Sequence, residues 1–109
     1  MILDNLLKQL TEYVFEYNLK DSEANVFVAG SFNNWKKIKM NKNGNKFYHK
    51  AILKFGEYEY KFFVNNEWKY INSLPVTVTE EGYINNYLIL SHNYDIDTSN
   101  YYNIKVWHL

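Results

Sequence analysis

Two tryptophans stand where strands give way to turns. Trp35 closes the stretch "VFVAGSFNNW", and Trp68 follows the Asn65-Asn66 pair in "YKFFVNNEW". Lys61 lies on the outward side of the run that leads into the second turn, and Asn85 with Asn86 interrupts the apolar run "YINNYLIL". Exposed indole faces near amide and ammonium groups suit a ligand with flat C–H faces and a rim of hydroxyls. A sugar has that shape, and stacking on it requires no buried charge. The competing reading places both tryptophans in the core and the Asn85-Asn86 pair in a β-bulge.

Catalytic chemistry finds little support. His49, His92 and His108 have no metal-ligand spacing to one another or to carboxylates. The four glycines are isolated, so no phosphate-cradling loop is present. Ser31 in "AGSFN" lacks the glycine that a nucleophile elbow needs after it. Glu57 and Glu59 share a strand face, where a carboxylate pair is ordinarily solvated. No enzyme activity, metal or cofactor is expected.

The 109 residues correspond to one domain, large enough for a core without staples. The absence of Cys excludes disulfides and thiolate chemistry. Twelve basic residues, every one Lys, balance twelve acidic ones. A neutral chain without Arg is a poor partner for nucleic acid. Aromatic residues reach 19%, with eleven Tyr, seven Phe and three Trp. No run approaches the roughly 18 apolar residues of a membrane span, and "MILDNLLKQL" carries Asp4 and Lys8, which suits no signal peptide. A cytoplasmic protein without membrane contact is the expectation.

These side chains must be held by strands. Leu3, Leu6, Leu7 and Leu10 share one helical face, so a short amphipathic helix is predicted over residues 2–11, with 1–12 as an N-terminal helical segment. From there the period is two. Tyr13, Phe15 and Tyr17 alternate with Val14, Glu16 and Asn18. In "EYEYKFFV", Tyr58, Tyr60, Phe62 and Val64 face one way and Glu57, Glu59, Lys61 and Phe63 the other. Asn43-Gly44 and Asn65-Asn66 are tight-turn signals. Pro75 suits the start of a strand but not its middle. The predicted architecture is an all-β, antiparallel, immunoglobulin-like sandwich of seven or eight strands over residues 13–90. Residues 91–109 read as a loop followed by an edge strand, "YYNIKVW".

"VFVAGSFNNWKKIKM", "EYEYKFFVNNEWKY" and "VTVTEEGYINNYLIL", in this order, resemble the glycogen-binding carbohydrate-binding module of AMP-activated protein kinase β subunits. The resemblance covers roughly Tyr13 to Leu90. It implies a noncatalytic sandwich that binds an α-1,4-glucan such as glycogen through Trp35, Lys61, Trp68 and Asn85, with Asn33 and Asn34 shaping the first loop. It also implies kinase α and γ subunits as partners, although the region by which β subunits assemble with them lies downstream of the resemblance. Glu81 stands where the family often carries a leucine that wedges into the glucan, Glu16 where its first strand carries an arginine, and Ile71-Asn72 where it has Asp-Pro. Two readings therefore stand. One is a glucan-binding module that targets a kinase complex. The other is a protein-docking domain of the same fold with a decayed sugar site, favoured by Glu81 and the leucine stripe.

Overall fold

The computed structural model describes residues 9–21 and 23–91. Its elements are β1 (Leu10–Asn18), β2 (Val26–Gly30), a 3-10 turn (Ser31–Asn33), β3 (Ile38–Lys39), β4 (Asn41–Asn43), β5 (Lys46–Lys54), β6 (Gly56–Val64), β7 (Glu67–Lys69), β8 (Val76–Val78) and β9 (Ile84–Leu90). They form two antiparallel sheets, ordered β1-β5-β4 and β3-β2-β6-β9-β8, with β7 added beside β6. The expected antiparallel β-sandwich is what the chain forms.

The strand count, nine among the described residues, exceeds the seven or eight expected because the chain changes sheets at Met40. Ile38 pairs with Val28 in the larger sheet, and Asn41 pairs with Tyr48 in the smaller one. Between them Met40 is buried, and its N–H donates to the Val26 carbonyl at 2.8 Å. The segment from Ile38 to Asn43 thus forms two short strands around a single core residue.

β6 is the centre of the larger sheet. Residues Tyr60 to Val64 pair with β2 on one edge, while Gly56 to Tyr60 pair with β9 and Phe62 to Val64 with β7 on the other. Its alternation is the one expected: Tyr60, Phe62 and Val64 are buried, and Lys61 and Phe63 lie on the opposite face. The sheets meet through aromatic rings. Phe15 of β1 packs edge-on against Tyr60 of β6 at 5.0 Å and stacks on Phe32 at 4.8 Å. Tyr17 meets Phe62 at 4.9 Å. Such pairs add about 0.5–1.5 kcal/mol each beyond the area they bury. Burial pushes the Tyr60 hydroxyl well above the ordinary tyrosine range, with the neighbouring Tyr13 hydroxyl adding to the effect.

At Asn65-Asn66 both residues adopt positive φ, 48° and 69°, between the paired Val64 and Glu67. That is the tight hairpin the amide pair favours. The other hairpin turns one residue later than expected, with Asn43 paired to Lys46 and Gly44 at φ 64°. The N-terminal prediction needs correction at its end. Leu10 and Thr11 belong to β1, paired with Lys54 and Leu53, because the β5 edge offers them backbone partners that an isolated short helix would lack. Residues 2–8 and the strand expected at "YYNIKVW" lie outside the described residues.

Asn86 is fully buried within β9, whose register with β6 and β8 runs without a bulge. Its Oδ1 accepts from the Ile71 N–H at 2.8 Å, and its Nδ2 donates to the carbonyls of Ile71 at 2.8 Å and Pro75 at 3.2 Å. One side chain thus ties down the loop between β7 and β8. Replacing it with leucine leaves an N–H and two carbonyls without that partner. Asn86→Leu is expected to lower unfolding free energy by about 2–4 kcal/mol, read from the urea midpoint. Unchanged stability would show that the loop satisfies these groups elsewhere.

Candidate functional site

β2 ends at Gly30, and the reason is a close approach. A Cβ there would lie 2.4 Å from the Glu59 carbonyl oxygen and 2.8 Å from the Phe32 ring. Only glycine lets the end of β2 press so tightly onto β6. Ser31 then fastens the departing chain: its Oγ accepts from the Glu59 N–H at 3.0 Å. Asn33 closes the turn, accepting from the Gly30 N–H at 3.2 Å and donating to the Lys36 carbonyl at 2.7 Å.

Asn34 and Trp35 follow at φ 59° and 60°. Asparagine tolerates this left-handed region, but for a bulky aromatic it costs on the order of 1 kcal/mol. The Trp35 N–H donates to the Gly30 carbonyl at 2.8 Å, which holds the strained residue in place. The result is an indole presented at the surface: Trp35 is 40% exposed.

The second tryptophan is presented by β7. Trp68 pairs across from Phe63 of β6, and their rings meet edge-to-face at 5.0 Å. Lys37, two residues beyond Trp35, places its Nζ 3.6 Å from the centre of the Phe63 ring and 5.5 Å from that of Trp68. This cation–π contact clasps the first loop to the second hairpin. Trp68 remains 44% exposed, so the reading in which both tryptophans are core residues does not hold.

Trp35, Lys61, Trp68, Thr79, Tyr83 and Asn85 line one open cleft of about 380 Å³. Asn85 lies at 7% exposure, and its Nδ2 donates to Glu59 Oε1 at 2.9 Å. Glu59 is therefore engaged rather than merely solvated, and so is Glu57, which accepts from the Tyr87 hydroxyl. Thr79 and Tyr83 escaped the sequence reading. Tyr83 is 65% exposed, and its position just after Gly82 was the available signal. A turn sets both: the Tyr83 N–H donates to Thr79 Oγ1 at 3.0 Å, and the Thr79 N–H to the Tyr83 carbonyl at 2.8 Å. Glu81 sits in that turn, exposed, and is not among the residues lining the cleft.

The cleft offers three aromatic rings, one ammonium, one amide and two hydroxyls, those of Thr79 and Tyr83. It holds no nucleophile paired with a base, and among the described residues no group of His, Asp and Glu could hold a metal ion. Among the same residues no helix is long and apolar enough to cross a membrane. Its geometry depends on the Gly30 seam. Gly30→Ala is expected to cost about 1–3 kcal/mol of stability through overpacking and to speed amide exchange at Glu59. Native stability with native exchange would show that the seam has room to spare.

Residues 11–97 match the family model described as the glycogen recognition site of AMP-activated protein kinase. The chain is 41% identical over 61 residues to the 5'-AMP-activated protein kinase subunit beta-1 of Bos taurus, covering 56% of this chain and 23% of that protein. The Homo sapiens beta-1 subunit is 39% identical over 61 residues, with the same coverage of 56% and 23%. The Mus musculus beta-2 subunit is 47% identical over 62 residues, again covering 56% and 23%. The chain thus spans under a quarter of the length of these relatives. With more than half of its residues matched by the family model, the chain belongs to the family of glycogen recognition sites of AMP-activated protein kinase.

Proposed function

We propose that this chain is a noncatalytic α-1,4-glucan-binding module, and that the cleft between Trp35 and Trp68 is its sugar site. One observation carries the reading. Two half-exposed indoles, held open by a strained turn and a hairpin, share one cleft with Lys61 and Asn85. The indole faces take the apolar faces of glucose rings. Lys61 donates to hydroxyls. The Asn85 amide is fixed by Glu59 through one N–H, and its remaining polar groups serve the ligand. Asn33 and Asn34 act indirectly, by setting the loop that presents Trp35. In this reading the module targets a kinase complex containing α and γ subunits to glycogen or a related polymer in the cytoplasm. It comprises the expected residues 13–90 together with Leu10 to Glu12, which belong to β1, and 91–109 form an extension. The protein-docking alternative required a decayed site, and the completeness of the cleft weighs against it.

Calorimetric titration with maltoheptaose tests the reading. Trp68→Ala should keep the fold and weaken binding by about 1–3 kcal/mol, the scale of aromatic stacking on flat ligands. Because the ligand is neutral, affinity should change little between low and high salt. Unchanged affinity in the variant would refute the site, and absence of binding by the native domain would refute the function.

Glu81 is assigned to the rim of this site, in the turn between Thr79 and Tyr83. A carboxylate there gives up hydration when sugar approaches, whereas a leucine would gain apolar contact. Glu81→Leu should therefore tighten β-cyclodextrin binding by about 1 kcal/mol, a partial burial of the apolar side chain. Equal or weaker binding would show that the sugar does not reach this turn.

A further inference from the structure

A second cleft, of about 330 Å³, opens where the end of β1 meets the loop after β7. It is lined by Glu16, Tyr17, Asn18, Tyr70, Ile71 and Asn72, none of which lines the tryptophan cleft. Both walls are fixed. Glu16 to Asn18 are held by their register with Tyr48, Phe47 and Lys46. Ile71 is held at both its N–H and its carbonyl by buried Asn86. Tyr17 rests on Phe62 of the core, and burial raises its hydroxyl pKa, so the group stays protonated in ordinary buffers. Tyr70 is 39% exposed.

The chemistry of the lining narrows the ligand. The cleft has no cation of its own, and its one carboxylate, Glu16, is paired with Lys46 at 3.3 Å. Phosphates and other anions find no charge complement there. Two phenol rings supply flat apolar surface, and their hydroxyls with two amides both donate and accept. That combination fits a neutral polyhydroxyl chain. Tyrosine offers less stacking area than tryptophan, so this cleft should be the weaker of the two.

Its position relative to the first cleft gives it a use. Trp68 and Tyr70 are separated by one residue, so their Cα atoms are at most about 7 Å apart. A branched or long polymer that lies on Trp68 has further glucose units within reach of Tyr70, while a trisaccharide held on the tryptophans does not need them. We propose that the Tyr17–Tyr70 cleft is a second α-glucan subsite, which raises affinity for polymer over short oligosaccharide. The proposal rests on the glucan-binding reading of the first cleft.

An amide-resolved NMR titration of the 109-residue chain with maltotriose and then maltoheptaose separates the two claims. Two sets of shifts are expected. One includes Trp35, Lys61, Trp68, Tyr83 and Asn85. The other includes Glu16 to Asn18 and Tyr70 to Asn72, and saturates at higher sugar concentration. Tyr70→Ala and, independently, the exposed-site variant Asn72→Ala should each weaken the second set while leaving the first in place. Glycogen affinity should fall by about 3- to 10-fold in each, the size expected when a weak site is linked at millimolar effective concentration. Maltotriose affinity at the tryptophan cleft should not change. Shifts confined to the first set would overturn the second subsite and leave the first intact. Shifts confined to the second set would overturn the tryptophan cleft instead. Shifts in neither would overturn both.

Discussion

The approach of Gly30 to the Glu59 carbonyl is the contact on which the site depends. At that point β2 lies so close to β6 that no side chain fits between them. The chain leaving β2 is bonded to the Glu59 backbone through Ser31, and the Glu59 carboxylate reaches the other way to Asn85 of β9. One residue of the central strand thus fixes the loop that carries Trp35 and the amide that shares its cleft. The next residue, Tyr60, points into the core against Phe15. Alternation along β6 makes the core and the cleft two sides of one element, so packing of the sandwich sets the geometry of the cleft.

Exposed aromatic rings are costly to keep in a defined position, because water favours their collapse onto the nearest apolar surface. This fold prevents the collapse in two ways. Trp35 is held in a left-handed conformation by the bond from its N–H to Gly30. Trp68 is braced edge-on by Phe63, under the Lys37 ammonium. The Trp35 backbone and the Trp68 ring are thus held in place by contacts within the protein, and groups held in this way lose less conformational entropy when a ligand binds. A sugar site gains more from such preorganisation than a charged site would, since each stacking contact is small and no long-range attraction assists it.

Much of this was legible in the sequence, for identifiable reasons. The period-two pattern of "EYEYKFFV" predicted which β6 side chains are buried, because one face of that strand meets the core and the other meets water. Asn65-Asn66 announced its hairpin through the tolerance of asparagine for positive φ. What escaped depended on contacts between distant segments. Nothing local marks Met40 as the residue where the chain changes sheets. Asn86 looked like a flaw in an apolar strand because its partners, Ile71 and Pro75, lie 15 and 11 residues away. Thr79 and Tyr83 join the cleft only because β8 and β9 form a hairpin beside β6. Leu10 fitted a helical stripe, yet pairing with Lys54 placed it in a strand.

In the proposed mode of binding, the Trp35 and Trp68 rings lie flat against glucose units. Ring currents report this directly. In proton NMR of maltoheptaose with the native domain, the C–H protons of the stacked glucose units should move upfield as they enter the shielding zone above the indole faces. Trp35→Ala and Trp68→Ala should each abolish a different subset of those shifts. If the sugar binds without upfield movement of its ring protons, or if neither substitution alters the pattern, the two tryptophans are not stacking platforms and the cleft between them is not the sugar site.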